Sequence, residues 1–269
     1  MKLSILKTLL ILLTVSVSHA HISYVSRDLG SFNPIVASSV TISSNTVSGD
    51  FGWASGTDAN GGDSHKLRAF KFTVLSAGAV TLRAQGLSFD RGGVPIGALA
   101  LPAFSVYRGL AHESPALGDH DSSVISTLYN DTAYGAGNWQ GSLRALGDWK
   151  IGNDDGVTFA DLSSFAYVGS AADGTSDNFG SAPGIFGDGT ADGMVVQTLS
   201  LDPGIYSIFV GGARYYDLLN TGGDSSSFGF VLTVSTIPEP STGSLAGIAL
   251  VALMIRRRRG RRMAGSGGF

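Results

Sequence analysis

Side chains alternate with a period of two along residues 67–74, which restricts this part of the chain to a β-strand with one buried face. Phe70, Phe72 and Val74 share one side of the strand, whereas the charged Lys71 lies on the other. Because such a strand must pair and must bury its apolar side, it predicts a sheet packed against a second layer.

Further short apolar segments recur along the chain, separated by Gly, Asp, Ser and Asn. The 38 glycines have no strict period of three, which excludes collagen, and they disfavour long helices because Gly costs a helix about 1 kcal/mol relative to Ala. Only residues 140–147 suggest one or two helical turns. We predict an all-β fold, a single β-sandwich body over residues 21–235 with long Gly/Asp-rich loops. The predicted strands are 39–48, 67–75, 79–84, 103–107, 164–168, 194–199, 205–210 and 228–234.

Two longer stretches of this pattern resemble segments of a known kind of domain. The sequences FKFTVLSAGAVTLRAQ (70–85) and LSLDPGIYSIFVGG (199–212) are similar to the hairpins of bacterial pre-peptidase C-terminal-type jelly rolls. In those domains such hairpins flank a strand like 104–107. The resemblance implies a jelly-roll-like sandwich, in which residues 108–163 form a long insertion.

The first 20 residues have the three parts of a signal peptide. Two lysines give a positive start, residues 9–17 give a short apolar core, and Ser18 and Ala20 are the small residues of a cleavage site. The apolar run is too short to span a bilayer comfortably. We therefore predict that residues 1–20 are removed, which leaves His21 as the first residue of the exported chain.

The C-terminal segment, residues 236–269, combines a Pro-Glu-Pro sequence, an apolar stretch at 241–255 and an arginine cluster. This order resembles the PEP-CTERM sorting signal of Gram-negative bacteria. The resemblance implies a transmembrane helix that anchors the chain transiently in the inner membrane, handling by an exosortase, and delivery to the cell surface or extracellular polymer. The positive-inside rule leaves the arginines in the cytoplasm and the body outside. The residues that match the signal are Pro238, Glu239, Pro240, Arg256, Arg257, Arg258 and Arg259.

Charge and cysteine content exclude several classes of function. Between residues 21 and 240 the chain has 10 basic and 21 acidic residues, and such an acidic body repels nucleic-acid phosphates. The chain has no cysteine, which excludes a disulfide framework, a thiol nucleophile and a thiolate metal site. Only two glutamates are present, so a glycosidase based on paired glutamates is not expected.

Histidines form the first candidate metal site, for copper or zinc. An N-terminal His21 would offer its α-amine and its imidazole to one metal ion. The stretches around Trp53, Gly-Asp-Ser-His65 and Leu-Ala-His112 resemble surface copper-binding proteins of methanotrophs, which implies copper as the metal. The alternative is that the four histidines occur at scattered positions by chance and form no metal site. The candidate ligands are His21, His65, His112 and His120.

Clusters of Asp and Gly form the second candidate, a structural calcium site. Short carboxylates beside Gly can fold a loop around Ca²⁺, which takes about six to eight oxygen ligands. No EF-hand pattern or nonapeptide repeat is present. The alternative is that Asp and Gly simply form turns. The candidate ligands, in the sequences NDDG and GDGTADG, are Asp154, Asp188 and Asp192.

These features predict an exported, non-enzymatic protein with a structural or adhesive role at the cell surface or in the extracellular matrix of a biofilm. The predicted partners are the exosortase, the export machinery and extracellular polysaccharide, with no nucleic acid, and the candidate ions are calcium and copper. One alternative is a surface protein that binds copper or zinc through the mature N-terminal histidine. Another is a secreted hydrolase whose site the sequence does not reveal.

Overall fold

The structure is a computed structural model that describes residues 22–54, 61–111, 124–135, 141–151, 158–175, 179, 184–214 and 226–238. The predicted signal peptide, and the sorting segment after Pro238, lie outside the described residues. Within the described ranges no helix has the length and apolar character needed to cross a bilayer.

Six strands form the first sheet. All neighbours are antiparallel except the first pair, which is parallel. In order across the sheet, the strands are β1 (Asp28–Phe32), β4 (Arg68–Val74), β13 (Gly204–Gly212), β8 (Pro102–Arg108), β11 (Ser163–Ala172) and β10 (Trp149–Ile151).

The second sheet packs against the first. Its strands are β12 (Met194–Leu201), β5 (Gly78–Gly86), β14 (Ser227–Thr236), β7 (Val94–Ala98) and β6 (Phe89–Arg91), and β2 (Ser38–Ser48) also pairs with β14. A separate pair consists of β3 (Gly61–Asp63) and β9 (Ser142–Arg144). The described residues contain the helix α1 (Val124–Tyr134) and two short 3₁₀ turns, at Ser64–Lys66 and Phe159–Asp161. The all-β, sandwich-like prediction and the eight predicted strands are confirmed, with ends that differ by a few residues.

The core between the sheets is built from the alternating strand faces. Phe70 and Phe72 of β4 are completely buried there, as the alternation predicts. Phe70 meets Phe230 edge-on at 5.9 Å between ring centroids, and Phe72 stacks on Tyr206 at 5.3 Å. The Phe70–Phe230 contact joins the two sheets, whereas Phe72 and Tyr206 are paired neighbours within the first sheet.

The first sheet is also covered on its outer face, which β8 demonstrates. Phe104 and Val106 belong to the core between the sheets. Ala103 and Tyr107 belong to a second core on the other face, and Ser105 donates a hydrogen bond to the carbonyl of Ala145 there, at 2.6 Å. Because both faces of β8 are buried, the molecule has a third layer beyond the predicted sandwich.

Residues between β8 and β11 supply much of this outer layer. Trp149 of β10, the edge strand of the first sheet, faces the outer core and stacks on Phe165 at 4.7 Å, and the Asn130 side chain of α1 bonds both backbone groups of Lys150, at 2.7 and 3.0 Å. The predicted helical turns at 140–147 are wrong, because strand β9 lies there and its backbone pairs with β3. This layer contains helix α1, which the sequence pattern does not predict.

The register of the strands defines two ends of the sandwich. The chain leaves β14 for the sorting segment at one of them, which we call the tail end, and the opposite one is the distal end. Pairs at the tail end are Thr236–Ser38, Leu201–Gly78 and Val74–Gly204. Pairs at the distal end are Gly212–Pro102, Ala172–Ala103 and Phe230–Gly86.

Candidate functional site

An open cavity of about 490 Å³ lies at the distal end, beside the last residues of β11. None of the described residues that line it is charged. Polar groups are provided by the hydroxyls of Tyr167 and Ser170, which hydrogen-bond to each other at 2.7 Å. The apolar lining includes Trp53, Leu146, Ile185 and Phe186. The cavity therefore suits a neutral ligand that has both polar and apolar surface.

Phe186 stands at the rim of this cavity and is 87% exposed. The backbone after it is fixed to the end of β11, because the N–H of Asp188 donates to the carbonyl of Ala172 at 3.0 Å. A Cβ at Gly187 would lie 2.0 Å from the carbonyl oxygen of Gly174, so this close approach requires glycine. An exposed aromatic ring is thus carried by a tightly held loop.

Asp173 anchors the other end of the same loop. It is completely buried, and its carboxylate accepts hydrogen bonds from the backbone N–H of Asp192 at 3.1 Å and of Gly193 at 2.8 Å. Burial raises the pKa of Asp173 from the ordinary value of 3.8 to about 6. The two backbone hydrogen bonds oppose this rise in pKa, and the negative charges of Asp188 and Asp192 add to it.

The structure places only two of the predicted calcium ligands. Asp154 lies outside the described residues, whereas Asp188 and Asp192 lie near the buried Asp173. Their carboxylates accept nearby backbone N–H groups, from Thr190 and Met194 respectively, both at 3.1 Å, which is a common turn-forming role of Asp. Among the described residues, no group of three His, Asp or Glu is arranged to hold a metal ion. The calcium site stays a prediction.

His65 is the predicted histidine ligand that falls within the described ranges. Its side chain is 26% exposed, and its Nδ1 lies 2.8 Å from Oδ1 of Asp63. The imidazole packs on the backbone of Gly141, where a Cβ would lie 2.2 Å from Nδ1 and φ is +79°. A carboxylate on one ring nitrogen is the arrangement that commonly orients metal-ligating histidines.

Three predicted ligands lie outside the described residues: His21, His112 and His120. Chain neighbours of two of them are described. Ile22 lines the same small cavity as Ser64, and the backbone N–H of Ala111 donates to the Tyr24 hydroxyl at 3.1 Å. Ile22, Tyr24 and Ala111 all belong to the outer core. The fold therefore brings the chain neighbours of His21, His65 and His112 to one face of the first sheet.

Comparisons with known proteins give structural neighbours and one sequence motif. No curated protein matches the chain. One similar solved structure is CorA, a surface-associated copper-binding protein important in Methylomicrobium album BG8 copper acquisition, with a TM-score of 0.45 and 13% identity over 78% of this chain and 98% of that chain. Another is the Methylococcus capsulatus secreted protein MopE, in which an oxidized tryptophan facilitates copper binding. Its TM-score is 0.40, with 16% identity over 79% of this chain and 87% of that chain. Both are copper-binding proteins of the kind that the sequence resembles.

The sorting segment is matched by a family model. The family model of the PEP-CTERM protein-sorting motif matches residues 236–259, which begin at the last residue of β14. The match contains the predicted Pro-Glu-Pro sequence at 238–240 and the arginines at 256–259. Residues 236–259 are therefore a PEP-CTERM protein-sorting motif, a C-terminal signal for membrane anchoring and then surface export, and the chain is an exported surface protein that carries it.

Proposed function

We propose that this chain is a non-enzymatic adhesive protein, sorted by an exosortase, that binds neutral polysaccharide of the extracellular matrix in its distal-end cavity. The observation that carries the proposal is the position of this uncharged cavity and of Phe186, at the end of the sandwich opposite the sorting segment. A chain that is attached through its tail end presents its distal end to the surroundings.

The chemistry of the cavity fits a sugar better than an ion. A sugar ring has an apolar C–H face that packs on an aromatic ring, such as the exposed ring of Phe186. The hydroxyls of Tyr167 and Ser170 can hydrogen-bond to the polar edge of the sugar. An ionic ligand would be desolvated without an opposite charge, because no described lining residue is charged. The volume of about 490 Å³ lies within the range of about 300–1,000 Å³ for small-molecule sites.

Titration calorimetry with three neutral hexasaccharides, cellohexaose, maltohexaose and N-acetylchitohexaose, tests the proposed binding. We expect measurable binding of at least one. Phe186→Ala should weaken it about tenfold, equivalent to about 1.4 kcal/mol, whereas Phe186→Trp should retain it. The matched control is Phe159→Ala, which removes another exposed phenylalanine, 42% exposed, outside the cavity. Absence of binding with all three sugars, or equal loss in the two alanine variants, contradicts the proposal.

Sorting is tested separately by deletion of residues 237–269. We expect the truncated chain to be exported but not retained in the membrane, so that it appears in the medium without passing through an anchored stage. Fractionation with an antibody against the body measures this. Unchanged retention in the envelope would mean that the motif does not anchor this chain.

A second candidate function is copper or zinc binding by the mature N-terminal residue together with other histidines. The specific observations that favour it are the Asp63–His65 pair and the cavity shared by Ile22 and Ser64. His21 and His65 would be the first two ligands, and His112 and His120 are the further candidates. Zinc and copper both accept imidazole nitrogen ligands.

Metal analysis of protein recovered from the envelope tests this second candidate. We expect about one copper or zinc per chain, lost when one alanine is inserted before His21, because the insertion separates the α-amine from the imidazole. His65→Gln should remove most of the metal, and Asp63→Asn should weaken binding by about 10- to 100-fold through loss of the orienting contact. Full occupancy after the insertion would exclude N-terminal ligation. The secreted-hydrolase alternative stays a prediction.

A further inference from the structure

Four large apolar side chains face solvent at the tail end of the sandwich. Ile35 is 69% exposed, Val36 is 55% exposed, Leu75 is 58% exposed and Ile237 is 72% exposed. We call these four side chains the tail-end cluster. Apolar surface that is gathered at one end of an exported protein commonly marks a place where another apolar body makes contact.

Hydrogen bonds hold the loops of the tail-end cluster together. The Thr236 hydroxyl donates to the carbonyl of Val36 at 2.7 Å, and the N–H of Leu75 donates to the carbonyl of Phe32 at 2.9 Å. The cluster is therefore one surface rather than separate loop tips. The segments that form it contain no Asp, Glu, Lys or Arg: 33–37, 75–77 and 236–238.

The length of chain beyond this surface identifies what it meets. Only residues 239 and 240 lie between Pro238 and the apolar stretch at 241–255, and the three steps from position 238 to position 241 can span at most about 10 Å. The headgroup region on each side of a bilayer is about 5–8 Å thick. When the sorting motif anchors the chain, the tail-end cluster is thus held within reach of the lipid surface.

We infer that the tail-end cluster rests on the lipid bilayer in the membrane-anchored form, with its apolar side chains among the headgroups. The distribution of charge agrees with this orientation. The acidic body is repelled by anionic lipid, so contact through the tail-end cluster, whose segments contain no charged residue, is favoured, and the buried Asp173 with its acidic neighbours lies at the distal end. The contact also holds the Pro-Glu-Pro sequence close to the membrane surface, where a membrane enzyme can reach it. This inference goes beyond the proposed sugar binding, because it concerns the opposite end of the molecule.

Fluorescent labels at two matched valines test the inference. The chain has no cysteine, so Val36→Cys and Val94→Cys each give a single attachment site. The two valines are 55% and 58% exposed, and Val94 begins a strand that pairs with the start of β14, at the distal end. Each full-length variant carries a nitrobenzoxadiazole label and is reconstituted into phosphatidylcholine vesicles that contain a shallow spin-labelled lipid. Quenching at position 36 should exceed quenching at position 94 at least about threefold, and salt should not change it, because the contact is apolar.

A charged double variant provides the second measurement. Ile35→Asp with Leu75→Asp, placed in the Val36→Cys chain, should reduce quenching to the level at position 94. Leu87→Asp, at a 39% exposed site, should leave quenching unchanged, and circular dichroism establishes that both variants fold. Equal quenching at positions 36 and 94 in the labelled full-length chains without the aspartate substitutions overturns the inference. Concentration-dependent self-quenching at position 36 without lipid quenching also overturns it, because a second copy of the chain would then cover the cluster.

Discussion

Titration of Asp173 gives a quantitative test of how the distal loop is held. Its pKa of about 6 in the folded chain exceeds the ordinary value of 3.8, so the folded chain binds this proton more tightly than the unfolded chain. The stability gained from protonation is therefore complete below about pH 3.8 and is lost as the pH rises through about 6. A difference of about two pKa units corresponds to about 3 kcal/mol of unfolding free energy.

The assay is urea unfolding, followed by circular dichroism between pH 3.5 and pH 7.5, for the natural chain and for Asp173→Asn. Asparagine does not titrate, whereas the other carboxylates titrate in both proteins. The unfolding free energy of the natural chain, relative to that of the variant, should therefore fall by about 3 kcal/mol from pH 3.5 to pH 7.5. Parallel profiles for the two proteins would refute the assignment of a raised pKa to Asp173.

Calcium added at pH 7.5 extends the same experiment to the predicted calcium ligands. A cation bound beside Asp188 and Asp192 would favour the ionised form of Asp173, lower its pKa and remove the fall in stability. Such a result would assign calcium to this loop. An unchanged profile would mean that these carboxylates only form turns, which leaves Asp154 as the remaining predicted ligand.

Three substitutions test the layers of the fold by urea unfolding. Phe104→Ala, in the core between the sheets, should cost about 3–5 kcal/mol, and a loss below about 1 kcal/mol would contradict its complete burial. Tyr107→Phe should cost about 1–3 kcal/mol, because it removes the hydroxyl that donates to a carbonyl of the outer layer; an unchanged stability would mean that water replaces this bond. Gly187→Ala should cost about 1–3 kcal/mol, since its Cβ would lie 2.0 Å from a carbonyl oxygen. The control Gly97→Ala, with its nearest contact at 3.8 Å, should change little, and equal effects of the two glycine variants would contradict the close approach.

Strands of this fold could be predicted because their signal is local. The alternation along β4 is visible in eight residues, and the buried Phe70 and Phe72 follow from it directly. Helix α1 could not be predicted in the same way, because its sequence VISTLYNDTAY is rich in β-branched residues of low helix propensity. Contacts distant in sequence stabilise it, such as the hydrogen bonds between Asn130 and Lys150.

The outer layer left a signal in the sequence of β8. Its run from Ala103 to Tyr107 has apolar residues on both faces, which is typical of a strand that is covered on both sides. Strand β9, with Leu143 and the following Ala145 in the outer core, lies between β8 and β11, and Trp53 and Ile185 from other parts of the chain also belong to that core. Local alternation alone could not show where the covering residues would pack.

Candidate site residues were predictable as residue types but not by position. The Asp-Gly clusters indicated an acidic loop, yet Asp173 rather than Asp188 or Asp192 is the completely buried carboxylate. Burial of one aspartate depends on which loop returns to the end of β11, and sequence spacing does not contain that information. The exposure of Phe186 was equally invisible, because apolar residues in sequence predict burial.

Attachment through β14 determines how the fold responds to force on the sorting segment. Phe230 pairs with Asn45 of β2 on one side and with Gly86 of β5 on the other, so β14 is hydrogen-bonded along both edges. Hydrogen bonds between antiparallel strands run perpendicular to the strand axis. A pull along β14 therefore strains many of them at once, whereas separation of its end from β2 breaks them one after another.

Single-molecule pulling between introduced cysteines tests this geometry, and the absence of natural cysteines makes the attachment sites unique. Handles at positions 186 and 238 pull from the distal end to the tail end, along the strand. Handles at positions 38 and 238 pull β2 from β14 at the tail end, where Ser38 pairs with Thr236. The first pair should rupture at clearly higher force than the second, because its hydrogen bonds must fail together. Equal rupture forces would contradict this geometry and would remove the mechanical reason for an adhesive protein to hold its sorting segment on a strand paired at both edges.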